Sequence, residues 1–184
     1  MAKAPNEKFE TAVFAGGCFW CTEATFKMLK GVKSVIPGYT GGMMEKPNYS
    51  EVSNGKTGHA ESIKIEYDPT VISYDDLLSV FFNTHDPTTL NRQDRDVGTQ
   101  YRSSIFYSNE EQKQKAEGLI KKLNESHAYD KPVVTEVKPS TEFYEAEDYH
   151  HDYYKNNPGD AYCQIVIAPK LEKLQKRFNK LIEQ

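Results

Sequence analysis

The stretch Gly16-Gly17-Cys18-Phe19-Trp20-Cys21 follows directly on the apolar run Ala12-Val13-Phe14-Ala15, which places a cysteine where a strand turns into a helix. Two glycines let the backbone turn tightly and come close to a ligand. The free N–H groups and positive dipole end of the following helix favour a thiolate over a thiol at that point. Phe19 and Trp20, the one tryptophan of the chain, stand beside that sulfur. A nucleophilic thiol against an aromatic wall suits a small apolar substrate, including one that contains sulfur.

Other groups of catalytic type are spread along the chain. Gly58-His59-Ala60-Glu61 opens a strand after a glycine-rich stretch. Glu61 reads either as an exposed strand-end carboxylate or as an acid at the mouth of a sheet, where burial against aromatics would keep it protonated. Asp94 to Arg102 is a polar loop that holds Tyr101 ahead of a strand, and an ordinary surface loop would look the same. His150 and His151 are adjacent, so on a helix they face different ways and read as surface or supporting histidines rather than a metal pair. Cys18 and Cys21 form a C-x-x-C, which alone fits a redox pair or half a zinc site. A second C-x-x-C and an H-x₃₋₅-H are both missing, so no metal is expected. His59-Ala60-Glu61 has the H-x-E spacing of zinc deaminases without the P-C-x-x-C that must follow it.

The elements that carry these groups follow from periodicity. Phe9 to Ala15 reads as a strand, Cys18 to Lys30 as a helix and Val32 to Pro37 as a second strand. Gly38 to Gly58 reads as a long loop holding Tyr49; loops of that length in a compact domain are usually functional. Ala60 to Tyr67 alternates cleanly, and Ser73 with Asp76 makes a capping-box start for a helix from Tyr74 to Thr84. His85 to Gln100 is a second long polar loop. A short strand at Ile105 to Tyr107, a helix capped by Asn109 and running to about Asn124, and a strand at Val133 to Val137 come next. Glu142 to Lys155 is aromatic and acidic with partly helical spacing. Tyr162 to Ile167 reads as a last apolar strand before Pro169 opens a basic amphipathic helix to the C-terminus. This alternation predicts α+β or α/β, a mixed sheet packed with helices.

Composition narrows the function. The 184 residues, 38% of them hydrophobic, suffice for one substantial core, and no linker divides them. One domain over 9–184 behind a polar tail at 1–8 is the expected organisation. A net charge of −4 offers no basic face for nucleic acid. No stretch approaches the apolar length of a membrane span, and Met1 to Lys8 lacks the apolar region of a secretory signal, which predicts a cytoplasmic protein. Three cysteines, an odd count, argue against a disulfide scaffold and for catalytic or buried thiols.

Taken together, Gly16-Gly17-Cys18-Phe19-Trp20, Gly38-Tyr39-Thr40-Gly41-Gly42, Tyr49 with Gly58-His59-Ala60-Glu61, His85-Asp86-Pro87-Thr88, Asp96 to Ser103 and Ala146-Glu147-Asp148-Tyr149-His150 resemble the peptide methionine sulfoxide reductase A family, in the family's order and over nearly the whole chain. The resemblance implies a single α+β domain, a mixed β-sheet packed with helices in a ferredoxin-like two-layer sandwich with long active-site loops. It implies a monomeric enzyme that reduces the S epimer of methionine sulfoxide, free or in proteins, with no bound cofactor and with thioredoxin as external reductant. By motif position Cys18 is the nucleophile and Glu61 the acid; Tyr49 and Tyr101 bond the sulfoxide oxygen, and Asp96 supports the polar side. Phe19 and Trp20 hold the S-methyl group, with Gly17 and His150 also lining the substrate site. The resolving thiol implied by position is Cys163, with Cys21 as the alternative. A regular helical turn suits a Cys18–Cys21 disulfide poorly. A thioredoxin-like dithiol oxidoreductase using Cys18 and Cys21, and a non-enzymatic binder of oxidised Met segments, are the rival readings.

Overall fold

Strand and helix alternate along the chain in a computed structural model that describes residues 8–183. The expected polar tail at 1–8 therefore lies, Lys8 apart, outside the described residues. In chain order the elements are β1 (Glu10–Gly16), α1 (Phe19–Lys27), β2 (Val32–Thr40), α2 (Tyr49–Ser53), β3 (Ala60–Tyr67), α3 (Tyr74–Thr84), β4 (Arg92–Gln93), β5 (Asp96–Val97), β6 (Ser103–Tyr107), α4 (Glu110–Glu125), β7 (Glu136–Pro139), β8 (Tyr144–Glu145), α5 (Tyr153–Asn156) and α6 (Ala168–Arg177). One sheet has the order β7-β6-β1-β3-β2-β8, and β4 and β5 form a separate small hairpin. All pairs in the large sheet are antiparallel except β6 with β7. Its four central strands, β6-β1-β3-β2, with α1 and α3 as the two crossovers, make the split βαβ arrangement of the ferredoxin-like fold.

β1 lies in the middle and is buried on both faces. Ala12 and Phe14 point into the main core with Ile63, Ile65 and Tyr67 of β3 and the apolar faces of α1 and α3. Val13 and Ala15 point the other way, toward Ala60, Phe106 and Phe143. Phe14 is fully buried, with the rings of Phe81, Phe26 and Tyr74 at 4.9, 5.7 and 6.0 Å, so its truncation to Ala would cost about 3–5 kcal/mol. The caps expected from sequence are present. Ser73 and Asp76 exchange the two bonds of a capping box, and the Asn109 side chain accepts from the backbone of Gln112.

The strand expected at Val133 to Val137 begins only at Glu136 and runs to Pro139 as β7, and four further expectations need correction. Tyr162 to Ile167 is not a strand: Cys163–Ile167 is a wide helical turn that runs straight into α6. Its buried residues, Cys163 and Ile167, are four apart and continue to Leu174, while Ile165, which strand alternation would bury with them, is 71% exposed. The loop expected from Gly38 contains structure at both ends. β2 continues to Thr40, and Gly38 lies so close to β8 that a Cβ there would stand 2.5 Å from the carbonyl oxygen of Tyr144. Asn48 and Glu51 then form a capping box that starts α2. α1 ends at Lys27, ahead of Gly31 with its φ of +84°, rather than at Lys30. α6 stops at Arg177, and Ile182 folds back to bridge Leu29.

Candidate active site

The chemistry gathers at one end of the sheet, where β1 and β2 finish and β3 and β6 begin. Gly16 is paired with Ser103, and Tyr39 with Glu61. Both long loops leave from this end. Gly17 makes the turn out of β1 with φ +94°, and a Cβ on it would lie 2.6 Å from Cγ of Gln93. Only glycine meets both demands. Gln93 is in turn fixed by bonds to the backbone N–H and carbonyl of Asp86.

Cys18 is the N-cap of α1 and Cys21 its third residue. An N-cap side chain normally reaches toward that third position. Here the Cys18 side chain makes no cap bond and packs beside Cys21 in one small cluster. Glu61, at the start of β3, is 2% exposed and accepts the backbone N–H of Phe19 at 3.1 Å. Burial pushes its carboxyl up to about 8, opposed by that N–H and reinforced by the charges of Asp96 and Cys21. It is therefore an acid that keeps its proton at neutral pH, and the buried reading of Glu61 is the correct one.

Cys18 differs from expectation. Burial pushes its thiol well up, helped by the neighbouring Cys21 and the nearby Glu61 carboxyl, while the Trp20 N–H pulls the other way. At rest Cys18 is held as a thiol. The neighbouring Cys18 lowers Cys21 against its own burial, and the Lys170 charge acts in the same sense. Cys163 is 1% exposed, packed with Cys18, Cys21 and Ile167 in one small cluster, and held in the helical turn before α6.

The aromatic residues surround this thiol and acid. Phe19 is fully buried, with the ring of His150 at 5.0 Å and that of Tyr39 at 5.7 Å. Trp20 is half-buried; its indole N–H donates to Nδ1 of His150 at 3.0 Å, and its ring stacks on Tyr153 at 3.6 Å. His150 has no exposure, so it is a supporting histidine of the interior. Since Nδ1 accepts, its proton sits on Nε2. His151 faces elsewhere, toward the Ala146 carbonyl and Glu145. Tyr49, at the start of α2, lies 4.4 Å from the His150 ring. Burial raises both Tyr49 and Tyr101, followed by the Glu61 carboxyl, and Cys18 also acts on each of them. Both phenols thus remain protonated beside Glu61 and Cys18. Asp96, on β5, accepts the phenol of Tyr162 at 2.9 Å.

The structure thus brings Gly17, Cys18, Phe19, Trp20, Tyr49, Glu61, Asp96, Tyr101 and His150 to one end of the sheet, with Cys21 and Cys163 beneath. Sequence reasoning passed over two residues. Glu147 accepts the Tyr39 phenol with one oxygen and the Tyr49 backbone N–H with the other, both at 3.0 Å, and so anchors α2 to β2. Tyr162 stands between Cys21, at 3.6 Å, and Asp96. The signals were the acidic residue in Ala146-Glu147-Asp148-Tyr149-His150 and the tyrosine next to Cys163. A cavity of about 490 Å³ lined by Asn83, His85, Gln93, Lys170 and Lys173 among others does not include Cys18, Glu61 or either tyrosine.

Comparison with known proteins agrees with this geometry. A sequence model of the family described as peptide methionine sulfoxide reductase matches residues 10–182. The chain is 52% identical over 174 residues to peptide methionine sulfoxide reductase MsrA of Deinococcus radiodurans, covering 95% of this chain and 84% of that protein. It is 54% identical over 169 residues to MsrA of Saccharolobus solfataricus, covering 92% and 94%. Among solved structures, Mxr1 of Saccharomyces cerevisiae in reduced form superposes with a TM-score of 0.80 at 31% identity, over 88% of this chain and 92% of that one. Methionine sulfoxide reductase A of Corynebacterium diphtheriae gives 0.74 at 34%, over 84% and 77%. With the match running through every strand of the sheet and every group at its active end, the chain belongs to the peptide methionine sulfoxide reductase family.

Proposed function

We propose that residues 9–184 act as one catalytic domain that reduces the S epimer of methionine sulfoxide, free or in proteins, through Cys18 and Glu61. The observation that carries this reading is the protonated Glu61 carboxyl, bonded to the first N–H of the helix that Cys18 caps. A sulfoxide sulfur accepts a nucleophile only when its oxygen becomes a better leaving group, so the site needs proton donors at the oxygen and an apolar cage at the methyl. Glu61 supplies the proton, Tyr49 and Tyr101 bond the oxygen, and Phe19 and Trp20 hold the methyl group. His150 fixes the indole, Gly17 lets the backbone approach the substrate, and Asp96 supports the polar side.

Because Cys18 rests as a thiol, its proton leaves only as the sulfoxide is engaged, and passes to the Glu61 carboxylate that has just protonated the oxygen. Its sulfur then takes the oxygen, methionine departs, and Cys18 is left as a sulfenic acid. Cys21 closes the disulfide in this reading. Cys18, as N-cap, stands outside the regular helix, which removes the geometric objection to that bond. Cys18 and Cys21 also lie in one packed cluster. Cys163 is the second reading, supported by its place in the same cluster.

The disulfide is then exchanged with an external dithiol, for which thioredoxin is the proposed donor; Mxr1 has been solved in complex with Trx2, a likeness that carries the fold alone here. No bound cofactor is required, since thiols supply both electrons. A monomer working in the cytoplasm is part of this reading through the family resemblance alone; among the described residues no helix is long and apolar enough to cross a membrane. Mass spectrometry of the enzyme after one turnover tests the cycle: a Cys18–Cys21 disulfide is expected. A Cys18–Cys163 disulfide would move resolution to the C-terminal segment, and no disulfide with no methionine would end the assignment.

A further inference from the structure

A line of hydrogen bonds runs away from the nucleophile. Cys18 packs beside Cys21 in one cluster, and Sγ of Cys21 lies 3.6 Å from the phenol oxygen of Tyr162. That phenol donates to Oδ2 of Asp96 at 2.9 Å. A phenol has one proton. Since Tyr162 gives its proton to Asp96, the oxygen presents a lone pair to Cys21, and the Cys21 thiol is the donor between them. The line thus reads Cys21 to Tyr162 to Asp96, both donors pointing the same way and the carboxylate at its end, with Cys18 packed beside its first member.

Methionine formation calls on Cys18 and on the support of Asp96, and leaves Cys21 and Tyr162 without a task. The remainder fits the next step. We propose that Cys21, Tyr162 and Asp96 form the proton path for closing the disulfide: as Cys21 attacks the Cys18 sulfenic acid, its proton passes to the Tyr162 oxygen while the phenol proton passes to Asp96. The S–S bond forms as the Cys18 S–O bond breaks, and the proton that Asp96 has received returns through solvent to the departing hydroxide, which leaves as water. One thiol and one sulfenic acid become one disulfide and one water, with no further oxidant or reductant.

The charges around Cys21 fit this direction of transfer. Cys18 and Glu61 face it from the two strand ends, Asp96 from the β4–β5 hairpin, and Tyr162, Cys163 and Lys170 from the C-terminal helical segment. Among them Lys170 carries the positive charge that favours the Cys21 thiolate, and it is itself 3.2 Å from Asp94. Tyr162 does not ionise; burial holds its proton more tightly than usual, so it passes one proton as it receives another.

This proposal rests on the reading that Cys21 resolves the sulfenic acid, and the test separates the two. Single turnovers with a methyl aryl sulfoxide are quenched at intervals, the sulfenic acid is trapped with a cyclic diketone, and its decay is followed from pH 6 to pH 9. In a Cys163→Ala background, Tyr162→Phe should slow that decay about three- to ten-fold at pH 7, the range that one unit of thiol acidity carries. The deficit should shrink as pH rises and solvent hydroxide takes over. Lys170→Gln, which spares the core, should move the profile to higher pH as well. A structural role alone would lower the rate equally at every pH; that result, or no change in either profile, overturns the proton path. If instead Cys21→Ser forms its disulfide at the wild-type rate, the reading of Cys21 is what has failed.

Discussion

Phe19 donates its backbone N–H to Oε2 of Glu61 at 3.1 Å, so the residue that follows the nucleophile also holds the acid. Oε2 is thereby occupied, and the proton that burial retains belongs on Oε1. Glu61→Gln keeps the shape but has no proton to deliver. We expect methionine formation in a single turnover to slow by about 10²- to 10⁴-fold with the fold intact. A variant within a few-fold of the wild type would reduce Glu61 to a support for the turn.

The same carboxyl makes stability depend on pH. Glu61 is raised in the folded chain from 4.5 to about 8, so its contribution is fully present below pH 4.5 and is lost as pH climbs toward 8. Over that window the unfolded chain ionises while the folded chain still holds the proton. The shift corresponds to a loss on the order of 4 kcal/mol. Thermal unfolding of the wild type and Glu61→Gln at pH 5 and pH 8 should show the variant gaining relative stability at the higher pH. A constant difference would mean that Glu61 is ionised in the native state.

Cys18 should react slowly with a neutral alkylating agent when no sulfoxide is present. Its thiol is held well above the usual cysteine range by burial, the neighbouring Cys21 and the Glu61 carboxyl. Iodoacetamide labelling of Cys18 in a Cys21→Ser, Cys163→Ser chain, followed by peptide mass, is expected to rise only above about pH 9. Rapid labelling at pH 7 would show a resting thiolate and restore the role of the helix terminus.

Glu147→Gln should affect catalysis at a distance from the thiol. The amide keeps one acceptor oxygen, so either the Tyr39 phenol or the Tyr49 N–H loses its partner. An orphaned buried donor costs about 1–3 kcal/mol, and a loosened Tyr49 should lower kcat/KM about ten-fold. Tyr49→Phe in the Glu147→Gln background should then add little. Additive losses would show that Glu147 does not act through Tyr49.

Local signals made much of this molecule legible before its coordinates. β3 alternates, Ser73 and Asn109 cap their helices, and the strand ends preceding Cys18 and leading into Glu61 put both groups at one edge of a sheet. What escaped depends on contacts between distant parts of the chain. Glu147 is 98 residues from the Tyr49 that it holds, and Tyr162 is 141 from Cys21. The run Cys163 to Ile167 is rich in β-branched residues and also places its buried side chains four apart; the cysteine-lined face it packs on decided for the helix. The expected thiolate failed on magnitude. A helix terminus is worth about 0.3–1 kcal/mol at the surface, whereas full burial moves a thiol by several pK units.

Cys18 and Cys21 sit on a single turn of α1, one just outside the helix and one inside it. A redox cycle between such neighbours asks for little more than side-chain rotation. Crystals of the reduced protein soaked with a sulfoxide should therefore pass to the disulfide without cracking, and a reducing soak should bring them back. An enzyme whose resolving thiol must travel from a remote chain segment would shatter its own lattice in the attempt.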